Sequence, residues 1–276
     1  NCIRRRYNIG MTDLIEREVP DEQLQAIARL VQLVDTLRIH CPWDRKQTIA
    51  SLTPHLIEEC HEFADAVAKQ DNDNACEEIG DLLMGAFMVA RVAQDDEVFS
   101  IVDVCNNVCE KLIRRHPHVY GEVQVADDGE VLKNWEQIKK QEKADRGEGE
   151  SALSGVPSSL PALLRAYRVG QKAANSGFDW PDLQGPTAKV EEEWAELQEA
   201  IAGGDKQRIN DEMGDMLFAL TNMARKLKIE PEMALRGTVE RFTSRFNHVE
   251  QQLGDKLGSA TLEEMDVLWD EAKSKE

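Results

Sequence analysis

Apolar residues recur at intervals of three and four along most of the chain. Leu24, Ile27, Ala28, Leu30, Val31, Leu33, Val34 and Leu37 form one amphipathic stripe, the spacing that gathers side chains on one face of a helix. The stripe stops near His40-Cys41-Pro42, where proline disfavours helical backbone in the residue before it. The same periodicity predicts helices over about 52–69, 75–93, 100–115 and 128–145, then over 161–175, 187–202, 206–228, 231–253 and 261–273. Pro161 and Pro231 stand where a first helical turn tolerates proline, and Thr261-Leu262-Glu263-Glu264 spells a capping box. Strand-like alternation is weak, and residues 119–125 are expected to form only a short extended piece. The expected fold class is all-α.

The polar, glycine-rich run Arg146-Gly147-Glu148-Gly149-Glu150-Ser151, followed by Pro157 and Pro161, reads as a linker. The expected organisation is a helical domain over 21–146, a linker over 147–160 and a second helical domain over 161–276. Residues 1–20 read as a disordered extension, with Met11 as an alternative start. Arg4-Arg5-Arg6 leads into Tyr7-Asn8-Ile9-Gly10 rather than an apolar run, so this is no secretory signal. The two halves are related. Glu58, Glu59 and Glu62 recur as Glu192, Glu193 and Glu196, and Glu78 and Asp81 as Glu212 and Asp215, each 134 residues on. Trp135 and Trp269 share that separation, as do Lys139 and Lys273, while Lys111 and Arg115 match Arg241 and Arg245 at 130. A fixed offset across several elements marks duplication of one structural unit.

Composition narrows the partners. Of 276 residues, 52 are Asp or Glu against 33 Lys or Arg, a net charge of −19. Nucleic acid is thereby disfavoured, since its phosphates are held through basic surface. No apolar stretch suggests a membrane span. Six cysteines, all in the first half and none in a Cys-x-x-Cys pair, fit reduced and mostly buried thiols in a cytoplasmic protein.

The acidic residues become informative through their spacing. Glu193 and Glu196 share a helix face, as do Glu212 and Asp215. The midpoint of Glu196 and Glu212 is Gly204, and so is that of Glu193 and Asp215. An antiparallel hairpin turning there sets the four carboxylates face to face. In the first half Glu59, Glu62, Glu78 and Asp81 are centred in the same way on Gln70, a possible second metal site. Converging carboxylates must protonate, pair with cations or bind metal, and an all-oxygen donor set suits Mg2+, with Mn2+ a substitute. A solvated acidic face is the alternative. A di-iron centre would need Glu-x-x-His on two helices; Glu58 and His61 supply it once, and the second half has Ala195 in place of the histidine.

Both copies of Glu-Glu-x-x-Glu with a downstream Glu-x-x-Asp resemble the MazG family of nucleoside triphosphate pyrophosphohydrolases. Cys41-Pro42-Trp43-Asp44, Arg114-Arg115-His116-Pro117-His118-Val119, Trp135-Glu136-Gln137-Ile138-Lys139 and Gly177-Phe178-Asp179-Trp180 are also similar to that family's two-domain members, and the likeness runs from about Leu24 to the end. It implies an all-α homodimer that hydrolyses nucleoside triphosphates, deoxy forms included, to monophosphate and pyrophosphate with Mg2+, the C-terminal repeat being catalytic. By the resemblance Glu193, Glu196, Glu212 and Asp215 bind metal. Lys189, Arg241 and Arg245 contact the triphosphate, with Lys139 contributing from the first half, and Trp269 sits near the nucleotide. Arg241 stands where relatives often carry lysine.

The chemistry of the residues agrees. Phosphoanhydride hydrolysis needs neutralised phosphate charge, a positioned water and a stabilised leaving group. Arg241 and Arg245, four apart, suit a phosphate clamp, and Glu192 or Asp211 is a candidate to orient or deprotonate the water. Each has a plainer reading: Arg241 and Arg245 as surface ion-pair partners, Trp269 as packing, Trp43 and Trp180 as core or interface. A non-catalytic nucleotide or metal sensor is the competing function.

Overall fold

A computed structural model describes residues 19–145 and 151–275, apart from the side chains of Lys140 and Lys143. The expected extension therefore lies outside the described residues up to position 18, as does the part of the expected linker over 147–150. The chain divides into two compact units, Asn1–Glu148 and Gly149–Glu276, and every described regular element is helical.

The first unit holds α1 (Asp21–His40), a 3-10 turn (Asp44–Lys46), α2 (Ile49–Ala68), α3 (Asn72–Asp95), α4 (Ile101–Arg115), the single turn α5 (Pro117–Tyr120) and α6 (Asp128–Asp145). Helices α2 and α3 form a long antiparallel hairpin, with α1 and α4 packed on α3. Val34, Leu52, Met88 and Val92 form its core, flanked by Leu30, Leu37, Ile49, Met84, Phe87 and Val89. The helix starts are chemically defined. Thr48 with Ser51 and Ser100 with Asp103 make reciprocal caps, which satisfy backbone N–H groups that a first turn leaves without partners.

The second unit holds α7 (Ala162–Asn175), α8 (Gln184–Gly203), α9 (Lys206–Lys226), α10 (Pro231–Leu253), a 3-10 segment (Gly254–Ser259) and α11 (Leu262–Ser274). Helices α8 and α9 form the equivalent hairpin, α7 packs on α9 and α10, and α11 packs on α10. Pro231 occupies the first position of α10, and Thr261 with Glu264 closes the capping box of α11.

Two expectations need correction. Residues 119–125 form no strand: Pro117 starts a helical turn through Tyr120, and no neighbouring strand offers the ladder bonds that extended backbone needs. The described cysteines are free but not mostly buried. Cys60, Cys76, Cys105 and Cys109 are exposed and Cys41 is partly so. No helix among the described residues is long and apolar enough to cross a membrane.

Candidate active site

The site is built by the α8–α9 hairpin. Helix α8 ends as Gly204 takes φ 73°, a left-handed conformation that glycine adopts without a Cβ penalty. Asp205 then starts α9, accepting from the backbone N–H groups of Gln207 (3.0 Å) and Arg208 (3.4 Å). The turn thus falls at the centre of symmetry of the acidic residues. Glu193, Glu196 and Glu212 present carboxylate oxygens that all lie within 4.8 Å of one another, and Glu193 is the deepest, 5% exposed. Asp215 stands outside that trio. It lines, with Glu193, Lys189 and Trp180, a cavity of about 340 Å3.

Burial raises the pKa of the Glu196 carboxyl above its ordinary value, and the charges of Glu212 and Glu193 add to the effect. Two cations offset part of this. Lys189 Nζ lies 2.6 Å from Glu193 and 3.1 Å from Glu192, bonds that push the ammonium pKa well up. Arg208, overlooked by the sequence reading, reaches Glu212 at 3.4 Å and Glu199 at 3.5 Å. A compact all-oxygen cluster whose charge two cations only partly balance fits a hard divalent ion.

The first unit carries a related trio. Its hairpin turns at Gln70, with φ 57°, and gathers Glu59, Glu78 and Asp81. Burial, then the charge of Asp81, raises the Glu59 carboxyl. Glu62 lies outside the trio, yet its charge helps raise Glu78, after burial. His55 takes the place of Lys189, 3.8 Å from Glu58.

The remaining expected residues fall into separate groups. Arg245 stacks over Trp269, 5.5 Å from guanidinium carbon to ring centroid, and Phe242 packs on the same indole at 4.9 Å. The first unit repeats the device, with Arg115 at 5.7 Å from Trp135. Arg241 donates to Thr238 Oγ1 at 3.0 Å. Asp211 accepts from Gln207 at 2.9 Å. Lys139 belongs to the first unit, where it donates to Glu136 at 2.8 Å. Trp180 is not a core residue. It is 36% exposed, its turn is fixed by Asp179, and it walls the cavity beside Glu193. Asp179 pairs with Arg225 at 2.6 Å and Lys226 at 2.9 Å, and the Arg225 guanidinium is the main cause that lowers its carboxyl pKa to about 2.

Residues 47–120 and 184–250 match the model of the MazG nucleotide pyrophosphohydrolase domain. The chain is 39% identical over 263 residues to a nucleoside triphosphate pyrophosphohydrolase of Escherichia coli strain K12, covering 92% of this chain and 99% of that protein. It is 40% identical over 249 residues to the nucleoside triphosphate pyrophosphohydrolase/pyrophosphatase MazG of Thermotoga maritima, covering 88% and 94%. A crystal structure of a mazG-related protein from Thermotoga maritima aligns at 36% identity over 41% of this chain and 98% of that one, with a TM-score of 0.38.

Proposed function

The chain belongs to the MazG nucleotide pyrophosphohydrolase family, and from that premise we propose that it hydrolyses nucleoside triphosphates, deoxy forms included, to the monophosphate and pyrophosphate. The observation that carries the reading is the trio Glu193, Glu196 and Glu212 with Lys189 at its edge, inside one of the two segments that match the family.

Glu193, Glu196, Glu212 and Asp215 would hold Mg2+, or Mn2+ in its place. Bound there, the ion would neutralise phosphate charge and would make an associated water more acidic. The protein's own residues do the rest. Lys189 and Arg208 bring positive charge to the rim of the carboxylates. Arg241 and Arg245 on α10 are the phosphate ligands, and Trp269, over which the Arg245 guanidinium stacks, sits near the nucleotide. Glu192, exposed beside Lys189, orients the water in this reading, and Asp211 is the alternative.

Domains over 21–146 and 161–276, joined by a linker over 147–160, complete the proposal, with catalysis in the second. A homodimer is favoured by the apolar surface on the hairpin helices: Trp194 and Ile201 of α8, and Met213, Leu217 and Phe218 of α9, are all exposed, and an unpaired helical hairpin leaves such a face in water. We infer a cytoplasmic role in nucleotide-pool control or house-cleaning.

Product analysis over a panel of NTPs and dNTPs, with Mg2+ and with EDTA, tests the reading. Mg2+-dependent monophosphate and pyrophosphate, lost in a Glu193→Ala/Glu196→Ala variant, is the expected result. Diphosphate and orthophosphate would refute the cleavage site, and nucleotide binding without turnover would favour a sensor.

A further inference from the structure

A second cavity, about 270 Å3, lies next to the carboxylate site. Val169 and Gly170 of α7, Phe178 and Trp180 of the turn that follows, and Phe218 and Asn222 of α9 are among its walls. Trp180, Phe218 and Asn222 also wall the cavity that contains Glu193 and Asp215. The two spaces therefore adjoin at these three side chains, ionic at one end and largely apolar at the other. We propose that the apolar end receives the nucleobase of the substrate, with Asn222 reading its polar edge and Phe178 closing over its face. This rests on the nucleotide reading given above.

Asn222 is only 8% exposed. Its amide donates to the Phe218 carbonyl at 3.3 Å and accepts from Arg225 Nε at 3.4 Å. A carboxamide has two donors and two acceptor lone pairs, so one of each remains for a ligand. Gly170 makes room for this group. A Cβ built there would come within 2.6 Å of Asn222 Oδ1, closer than two such atoms can approach.

Phe178 is 84% exposed, although the turn that carries it is pinned. Its neighbour Asp179 bonds Arg225 through both carboxylate oxygens, at 2.6 and 3.2 Å, and Lys226 at 2.9 Å. A large aromatic ring held in water by a fixed turn at the mouth of an apolar cavity is suited to stacking on a planar base.

The first unit supplies an internal control. Met88 precedes Asn222 by 134 residues and Arg91 precedes Arg225 by the same interval. Helix α1 packs on α3 as α7 packs on α9. At this place the first unit has a closed core: Met88 is 1% exposed, Val34 2% and Val92 1%. A cavity beside Val34 and Arg91 is about 50 Å3, enough for a water or so but not for a base. The first unit retains its carboxylates and has filled the space where a base would lie. Loss of the base site, rather than loss of acidic residues, is then what separates a structural repeat from a working one.

The test measures binding by the full-length protein, not turnover. Non-hydrolysable α,β-methylene nucleoside triphosphates and inorganic tripolyphosphate, each with Mg2+, are titrated calorimetrically into the wild type, Phe178→Ala and Asn222→Met. Phe178 is exposed, so its truncation leaves folding intact. Asn222→Met installs the side chain that the first unit carries at this position. Both variants should bind the nucleotides about tenfold more weakly or worse, with tripolyphosphate affinity unchanged. Nucleotide affinities equal to wild type in both variants would overturn the proposal, as would an equal loss for tripolyphosphate. Since binding is the readout, a wild type that binds nucleotides without cleaving them sinks the catalytic reading alone.

Discussion

Lys189 Nζ lies 2.6 Å from Glu193 Oε1, so the deepest carboxylate of the cluster already carries a cation on one side. A substrate-bridging metal would approach the same carboxylate, leaving Lys189 free to turn toward phosphate. Lys189→Gln should lower kcat/KM about 100-fold, the scale of losing one charged contact in a transition state. Mn2+ affinity, followed by electron paramagnetic resonance, should hold or tighten, because a competing cation has gone. If Mn2+ affinity collapses together with activity, Lys189 shapes the carboxylates and does not serve the substrate.

The two trios are not equivalent, and paired variants separate them. Glu196→Ala removes a member of the second unit's cluster and should cost about 100-fold or more in kcat/KM. Glu62→Ala, at the matching place in the first unit, should leave steady-state rates within about twofold. Pyrophosphate release by both variants, measured side by side, decides the matter; a large loss confined to Glu62→Ala reverses the assignment of the working unit.

Much of this arrangement was legible in residue spacing. The midpoints Gln70 and Gly204 are both at helix ends with positive φ, because symmetry about a turn is a one-dimensional property. Helix periodicity and the cap at Thr261 were readable for the same reason. Membership of the trios was legible only in part. The structure groups Glu193, Glu196 and Glu212, but Glu59, Glu78 and Asp81 in the other unit, since side-chain rotamers choose among residues that spacing treats alike. The cavity beside Asn222 is not legible in the spacing. It exists because Gly170 lacks volume opposite Asn222, a relation between residues 52 positions apart that no local pattern encodes. Comparing the repeats at Met88 and Asn222 is the signal that would have exposed it.

Asp179 fixes the 177–180 turn through Arg225 and Lys226, and its pKa of about 2 compares with an ordinary 3.8. A depressed folded-state value means that the pair stabilises the fold above pH 3.8 and that this contribution fades as pH falls toward 2. The Asp179 side chain is 25% exposed, so solvent screening limits the effect to about 1 kcal/mol. Asp179→Asn should therefore lower Tm at pH 7 by a few degrees, roughly 2–6 °C, and by progressively less below pH 3.8. A Tm deficit unchanged at pH 2.5 would show that the charge is not what holds the turn.

The acidic clusters carry the opposite sign. Burial and like charges raise Glu196, Glu59 and Glu78. A raised folded-state pKa contributes stability below the ordinary glutamate value of 4.5, and loses it as pH climbs through the folded value. At neutral pH the clusters are therefore a source of repulsion that a divalent cation relieves, and at low pH protons compete with the cation for the same oxygens. Mg2+ at about 100 times its dissociation constant stabilises a binding-competent fold by about 2.7 kcal/mol, which should raise Tm by roughly 4 °C or more. The increment should be larger at pH 7.5 than at pH 5, against NaCl of matched ionic strength. Glu193→Ala/Glu196→Ala should abolish the part due to the second unit, and Glu59→Ala/Glu78→Ala any part due to the first. An increment independent of pH, or one that survives all four substitutions, would mean that the cation stabilises the chain elsewhere.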